Sequence, residues 1–153
     1  MLTRIMPLAA AAACLLLAGC GDSGVPEKAM QDEGPKKSLA RQVQFYQGQD
    51  NVQAIQSAAV KPVAGGGYDL EAKVTTDGGG WTKVGFLPRV YAATPPDGIY
   101  EVDVVADKPA TPGAAGPTAV EVKSAWDRYK DGRVKGVKFI SKTNEVVAMV
   151  PAG

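Results

Sequence analysis

From Tyr68 to Thr75 apolar and polar residues alternate without a break. Tyr68, Leu70, Ala72 and Val74 fall on one side, and Asp69, Glu71, Lys73 and Thr75 on the other. That period of two predicts an antiparallel strand with one face on a core and one face in water. Val52–Val63 precedes it across Ala64-Gly65-Gly66-Gly67, so the two stretches predict a hairpin with a loose glycine turn. Asp77-Gly78-Gly79-Gly80 then turns the chain into Trp81–Tyr91, where Val84, Phe86 and Val90 share a parity. Pro88 lies inside that run and marks it as an edge or a bulge, because proline cannot donate to a ladder. Pro95-Pro96-Asp97-Gly98 has the residues of a tight turn, with φ preset at Pro96 and positive φ tolerated at Gly98. Ile99–Ala106 follows, with Tyr100, Val102 and Val104 inward and Glu101 and Asp103 outward toward solvent.

Lys108–Thr118 carries three prolines and two glycines and reads as a mobile crossover between two sheets. Beyond it the pattern predicts strands at Ala119–Trp126, Val134–Ser141 and Glu145–Val150, with Lys142-Thr143-Asn144 joining the last two. Val134, Val137 and Phe139 do not share a parity. A bulge at Gly136 would bring all three inward and leave Lys135 and Lys138 facing water. Near the start, Leu39, Val43 and Tyr46 fit one face of a short helix over Ser38–Gln47 behind a Ser38 N-cap, although Val43 and Phe45 also suit a first strand. The sum is an all-β chain: an antiparallel β-sandwich of about seven strands, or alternatively a small barrel, with a short N-terminal helix. Its core should gather Tyr68, Leu70, Val74, Val102, Val104, Val137 and Phe139.

The first part of the chain follows a different logic. Arg4 is followed by an apolar run from Leu8 to Ala18, shorter than the roughly 20 residues a spanning helix needs. A basic start, a short apolar middle and small residues at the end are the parts of a secretory signal. The run closes in Leu17-Ala18-Gly19-Cys20, which resembles the lipobox of bacterial lipoproteins. The resemblance covers residues 1–22 alone. It implies cleavage before Cys20, diacylglycerol on the Cys20 sulfur, and a protein anchored to a membrane by lipid. In that class an Asp directly after the cysteine often retains the protein at the inner membrane. Here Gly21 holds that place and Asp22 comes one later, which implies the outer membrane, facing the periplasm, where the cell has one.

These readings divide the chain into a signal at 1–19, a lipidated tether at 20–37 and a β-domain at 38–153. Gly21–Lys37 is polar, with two prolines and three glycines, and cannot bury enough surface to offset its chain entropy. As a flexible coil it spans on the order of 20–25 Å.

Charge and cysteine usage narrow the function. Seventeen Lys and Arg stand against sixteen Asp and Glu, and Arg4 leaves with the signal, so the remaining charges cancel. A nucleic-acid footprint shows as a basic excess, so no nucleic-acid partner is expected. Cys14 lies in the signal and Cys20 is taken by lipid, which leaves no pair for a disulfide. The chain has no histidine. This removes Ser-His-Asp and Cys-His nucleophiles, imidazole bases and the usual zinc sites. The triple glycines at Gly65 and Gly78 lack the lysine and helix start of a phosphate loop, so no cofactor is expected.

Three groups of side chains remain as candidates. Glu101 and Asp103, like Asp69 and Glu71, project from one strand face ~6–7 Å apart, a spacing open to acid–base work on a glycosidic bond or to calcium. Alternation alone also generates such pairs as a solvated face. Arg128, Lys130, Arg133, Lys135, Lys138 and Lys142 form a basic stretch interrupted by one acid, Asp131, and suit an anionic lipid or polymer surface. The competing reading is a solvated loop whose lysines discourage edge pairing. Trp81, Tyr91, Trp126 and Tyr129 sit near strand ends, suited to capping the core or to stacking on a ligand.

The chain thus reads as a lipid-anchored envelope protein whose domain is a non-enzymatic binding or accessory module with an envelope protein as partner. A periplasmic inhibitor or immunity protein, a carboxylate-dependent hydrolase and a purely structural envelope protein are the alternatives.

Overall fold

A computed structural model describes residues 38–152. The signal, the lipidation site at Cys20 and the tether over 20–37 lie outside the described residues. The described chain forms strands β1 (Ala40–Arg41), β2 (Gln49–Asn51), β3 (Ala54–Pro62), β4 (Tyr68–Gly78) and β5 (Thr82–Pro88). They are followed by β6 (Val90–Tyr91), β7 (Ile99–Asp107), β8 (Ala115–Trp126), β9 (Gly136–Ile140) and β10 (Glu145–Met149). The architecture is all-β and sandwich-like, with open sheets rather than a closed barrel. Strands β3, β4, β5, β7, β8, β9 and β10 correspond to the seven predicted stretches.

One sheet runs β3-β4-β8, antiparallel throughout. The other is built on β7. Strand β5 pairs with β7 through Leu87↔Asp103 and Pro88↔Val102, among others. The opposite edge of β7 is shared: β9 lies parallel along Ile99–Asp103, and β2 antiparallel along Val105–Asp107. Strand β10 closes that side against β9. A parallel β7–β9 pair follows from the connection, because β8 leaves for the other sheet before the chain returns.

The predicted core assembles as expected. Tyr68, Leu70, Val74, Val102, Val104, Val137 and Phe139 are all buried in one cluster with Val52, Ile55, Val60 and Trp126. One seam of the sandwich is stitched by a side chain. Asn144 accepts from the Ile55 N–H through Oδ1 at 2.8 Å and donates Nδ2–H to the Ile55 carbonyl at 2.8 Å. Its amide thereby imitates a strand partner for β3.

Three expectations are corrected. Ser38–Gln47 is not helical: it contains β1, which pairs Ala40↔Tyr91 and Arg41↔Val90 with β6, and Leu39 and Tyr46 are exposed. An apolar stripe with no core beneath it has nothing to hold it as a helix. No bulge occurs at Gly136, since β9 keeps continuous register with both β7 and β10. Val134 is buried from the preceding loop, outside the strand, so its parity is irrelevant. The crossover is shorter than predicted, because β8 begins at Ala115, and the Gly79 N–H donates to the Ala114 carbonyl at 2.9 Å. Gly113 packs on the Gly79 backbone so closely that a Cβ there would overlap it.

Candidate functional site

Alternation along β7 sends Tyr100, Val102, Val104 and Ala106 into the core and Glu101 and Asp103 to the opposite face of the sheet. That face is covered, not solvated as the alternation suggested. Glu101 and Asp103 are 5% and 2% exposed. The segment from Ser38 to Phe45 crosses this side: Ser38 reaches Glu101, β1 pairs with β6, and Gln42, Val43 and Phe45 line a cavity with Arg89 and Asp103. Alternation reports which face a residue takes and says nothing of what later lies over that face.

Arg89, between β5 and β6, supplies the charge that permits this burial. Its backbone N–H donates to the Glu101 carbonyl at 3.0 Å, which sets the side chain beside the two acids. Its Nε and Nη2 donate to Asp103 Oδ2 and Oδ1 at 2.7 and 3.0 Å, the two-pronged geometry a guanidinium makes with a carboxylate. Nη1 donates to Glu101 Oε2 at 2.9 Å. The other Glu101 oxygen meets Lys138 Nζ at 3.0 Å, and the Ser38 hydroxyl donates to Oε2 at 2.9 Å. Asn51 Nδ2 donates to Asp103 Oδ1 at 3.4 Å and to the Ile140 carbonyl at 3.2 Å. The Tyr91 hydroxyl accepts from the Glu101 N–H at 2.9 Å.

Burial pushes the Glu101 carboxyl toward its neutral form, but Lys138, Ser38 and Arg89 outweigh it and hold the group below its ordinary value. Asp103 bonding, against burial, raises Arg89 further. Lys138 loses some charge preference to burial and regains more from Glu101, ending above its ordinary value. Burial pushes the Tyr91 hydroxyl up to about 12. A carboxylate so held is a poor proton donor near neutral pH, since general acids need a pKa close to the working pH. Both acids also spend their oxygens on fixed donors. The arrangement locks β5, β7, β9 and the N-terminal segment together. Asp69 and Glu71 behave as the solvated face expected of them, bound to Lys123 at 3.3 and 3.0 Å, with Lys61 also on Glu71.

The basic stretch is divided by the fold. Arg128 and Lys130 are exposed in the loop after β8. Arg133 pairs with Asp131 and stands 5.7 Å above the Tyr129 ring, and Lys135 is exposed with its stem against Gly98. Lys138 is not turned to water as expected but drawn onto Glu101, and Lys142 binds Asp50 at 3.2 Å. Below Arg133 lies an aromatic cluster that caps one end of the core. Tyr100 stacks on Tyr129 at 4.4 Å, with Tyr91 at 5.1 Å and Trp126 at 6.1 Å. Trp81 belongs elsewhere, with its indole N–H donated to Asp77 at 2.9 Å. The Tyr100 hydroxyl and the Trp126 Nε1 are buried without a hydrogen-bond partner among the described residues, with the Arg133 guanidinium near the Tyr100 hydroxyl.

Arg89, Ser38 and Asn51 were not among the sequence candidates. One signal pointed to a covered face, though not to these residues: Val104-Val105-Ala106 does not alternate, the mark of a strand buried on both sides. Comparison with protein-family models, curated proteins and solved structures finds no match to this chain.

Proposed function

We propose that the chain is a lipid-anchored protein of the cell envelope whose β-domain is a non-enzymatic binding or accessory module. One observation carries the non-enzymatic part. Glu101 and Asp103, the buried one of the two carboxylate pairs spaced for acid–base chemistry in a chain without histidine, are held by Arg89 and Lys138. Their charges are spent on holding the fold. The anchored part rests on Leu17-Ala18-Gly19-Cys20 at the end of a short apolar run. A lipid on Cys20 tethers the domain to a membrane face, and the polar stretch over 21–37 gives it reach toward an envelope protein partner. The outer membrane is the favoured site, on the strength of Gly21.

Metabolic labelling with a palmitate analogue, followed by membrane fractionation, tests the anchor. Wild type should carry label and sediment with membranes, and Cys20→Ala should carry none and retain its signal. An unlabelled wild type would refute the anchored reading.

A further inference from the structure

Strand β8 is the longest in the fold and pairs on one edge only, with β4. Its far edge has no strand partner among the described residues, and Thr118, Ala119, Glu121, Lys123, Ser124 and Ala125 are exposed. Free edges are usually blunted by proline, several lysines, a bulge or a covering loop. Between Thr118 and Trp126 this edge has no proline and a single lysine.

The charges on that stretch are self-complementary. We propose that β8 is a docking edge for a second copy of this chain, added antiparallel about a two-fold axis at Val122. In an antiparallel pair directly opposed residues share a face, so a symmetric pairing must centre on a residue. Centred on Glu121 it sets Glu121 against itself, and centred on Lys123 it sets Lys123 against itself. Centred further out, at Val120 or Ser124, it leaves Lys123 without an acid opposite. Centred on Val122, Glu121 of each copy faces Lys123 of the other, twice over. Ala119 then meets Ala125, two small residues that let the backbones approach, and Val122 meets its own copy on the core side. Pro117 falls opposite Asp127, beyond the end of β8, where its missing N–H costs nothing.

The ion pairs within each copy leave these groups available. Glu121 is 80% exposed and reaches Lys73 only at 3.6 Å, and Lys123 is 61% exposed beside Asp69 and Glu71. The product is one continuous sheet of six strands, β3-β4-β8 from each copy, with the free edge of β8 removed from both.

Sedimentation velocity of the purified full-length chain in detergent, across a concentration series, tests this. Wild type should reach a dimer. Glu121→Lys and Lys123→Glu should each weaken association by about tenfold or more, since each places like charges directly opposite twice. An equimolar mixture of the two variants should recover a dimer holding one copy of each, because Lys then faces Glu at every charged position. Hydrogen exchange on wild type covers the case of a variant that folds poorly: amides over Ala119–Ala125 should slow as concentration rises. A wild type monomeric throughout, charge reversals that associate as wild type does, or exchange in β8 independent of concentration would overturn the proposal.

Discussion

Arg89 is the residue on which the outer face of the five-stranded sheet depends. It keeps 16% of its side-chain exposure, whereas Glu101 and Asp103 keep 7% and 4%. Removing the cation would leave two carboxylates under the N-terminal segment with too few partners, the costly way to break a buried pair. Arg89→Met should therefore lower unfolding stability by about 3 kcal/mol, the low end for such a pair because Arg89 retains some contact with water. Urea denaturation checks this. The pH dependence has a definite sign. Glu101 and Asp50 titrate below their ordinary values in the folded chain, so the unfolded chain binds protons first on acidification. Their contribution is present above the ordinary carboxylate range and is lost as pH falls through the folded values. Lys138 is raised, so its share is present below its ordinary value and fades only as pH rises past the folded one. Glu101→Gln should flatten the acid limb of a stability–pH curve; an unchanged limb would mean that Glu101 is not held as described. Tyr100 gives the opposite case. Its hydroxyl is buried without a partner, so Tyr100→Phe should leave stability unchanged or raise it by up to about 1 kcal/mol.

At the scale of elements, one seam of the sandwich rests on two neighbouring side chains. The β3 side is held by Asn144, with the Thr143 N–H and hydroxyl both donating to the Gln53 carbonyl. Asn144→Ala would strand the N–H and carbonyl of Ile55, which is 4% exposed, and should cost about 1–3 kcal/mol in thermal or urea melts. Gly98 is similarly constrained: its φ is +68°, and a Cβ would stand 2.6 Å from Lys135 Cγ and 3.0 Å from the Arg133 carbonyl oxygen. The hairpin of β3 and β4, the turn at Pro95–Gly98 and the inward face of β7 were legible in the sequence because each rests on local rules, a period of two or a turn composition. The strands β1 and β2 were not, and β6 was legible only as the end of the predicted stretch Trp81–Tyr91. Each has two or three residues, too few to show a period, and each exists only because a partner strand lies beside it. The carboxylate network was half legible for the same reason. Alternation put Glu101 and Asp103 on one face, but Arg89 is brought to that face by chain that pairs in space, and Ser38 comes from a segment whose spacing imitated a helix. Val134 misled because the alternating pattern begins only after it, at Gly136.

At the scale of the whole molecule, the lipid anchor we propose on Cys20 would carry a domain whose buried acids, Glu101 and Asp103, are consumed by its own fold. On that proposal the protein acts by what it holds near a membrane. The balance of charge argues against nucleic acid, and the division of the basic stretch among Asp131, Glu101 and Asp50 leaves Arg128, Lys130 and Lys135 as its exposed remainder without an ion pair among the described residues. We propose an envelope protein as the partner rather than an anionic polymer, because Arg133, Lys138 and Lys142 of that stretch are already paired within the domain. The most direct test is crosslinking in intact cells, with mass spectrometry of the captured species, on wild type and Cys20→Ala. The account expects one envelope protein captured in near-stoichiometric amount by wild type and lost from Cys20→Ala. Capture of no other protein by either form would contradict it and would turn attention to glycan or lipid at Arg128, Lys130 and Lys135.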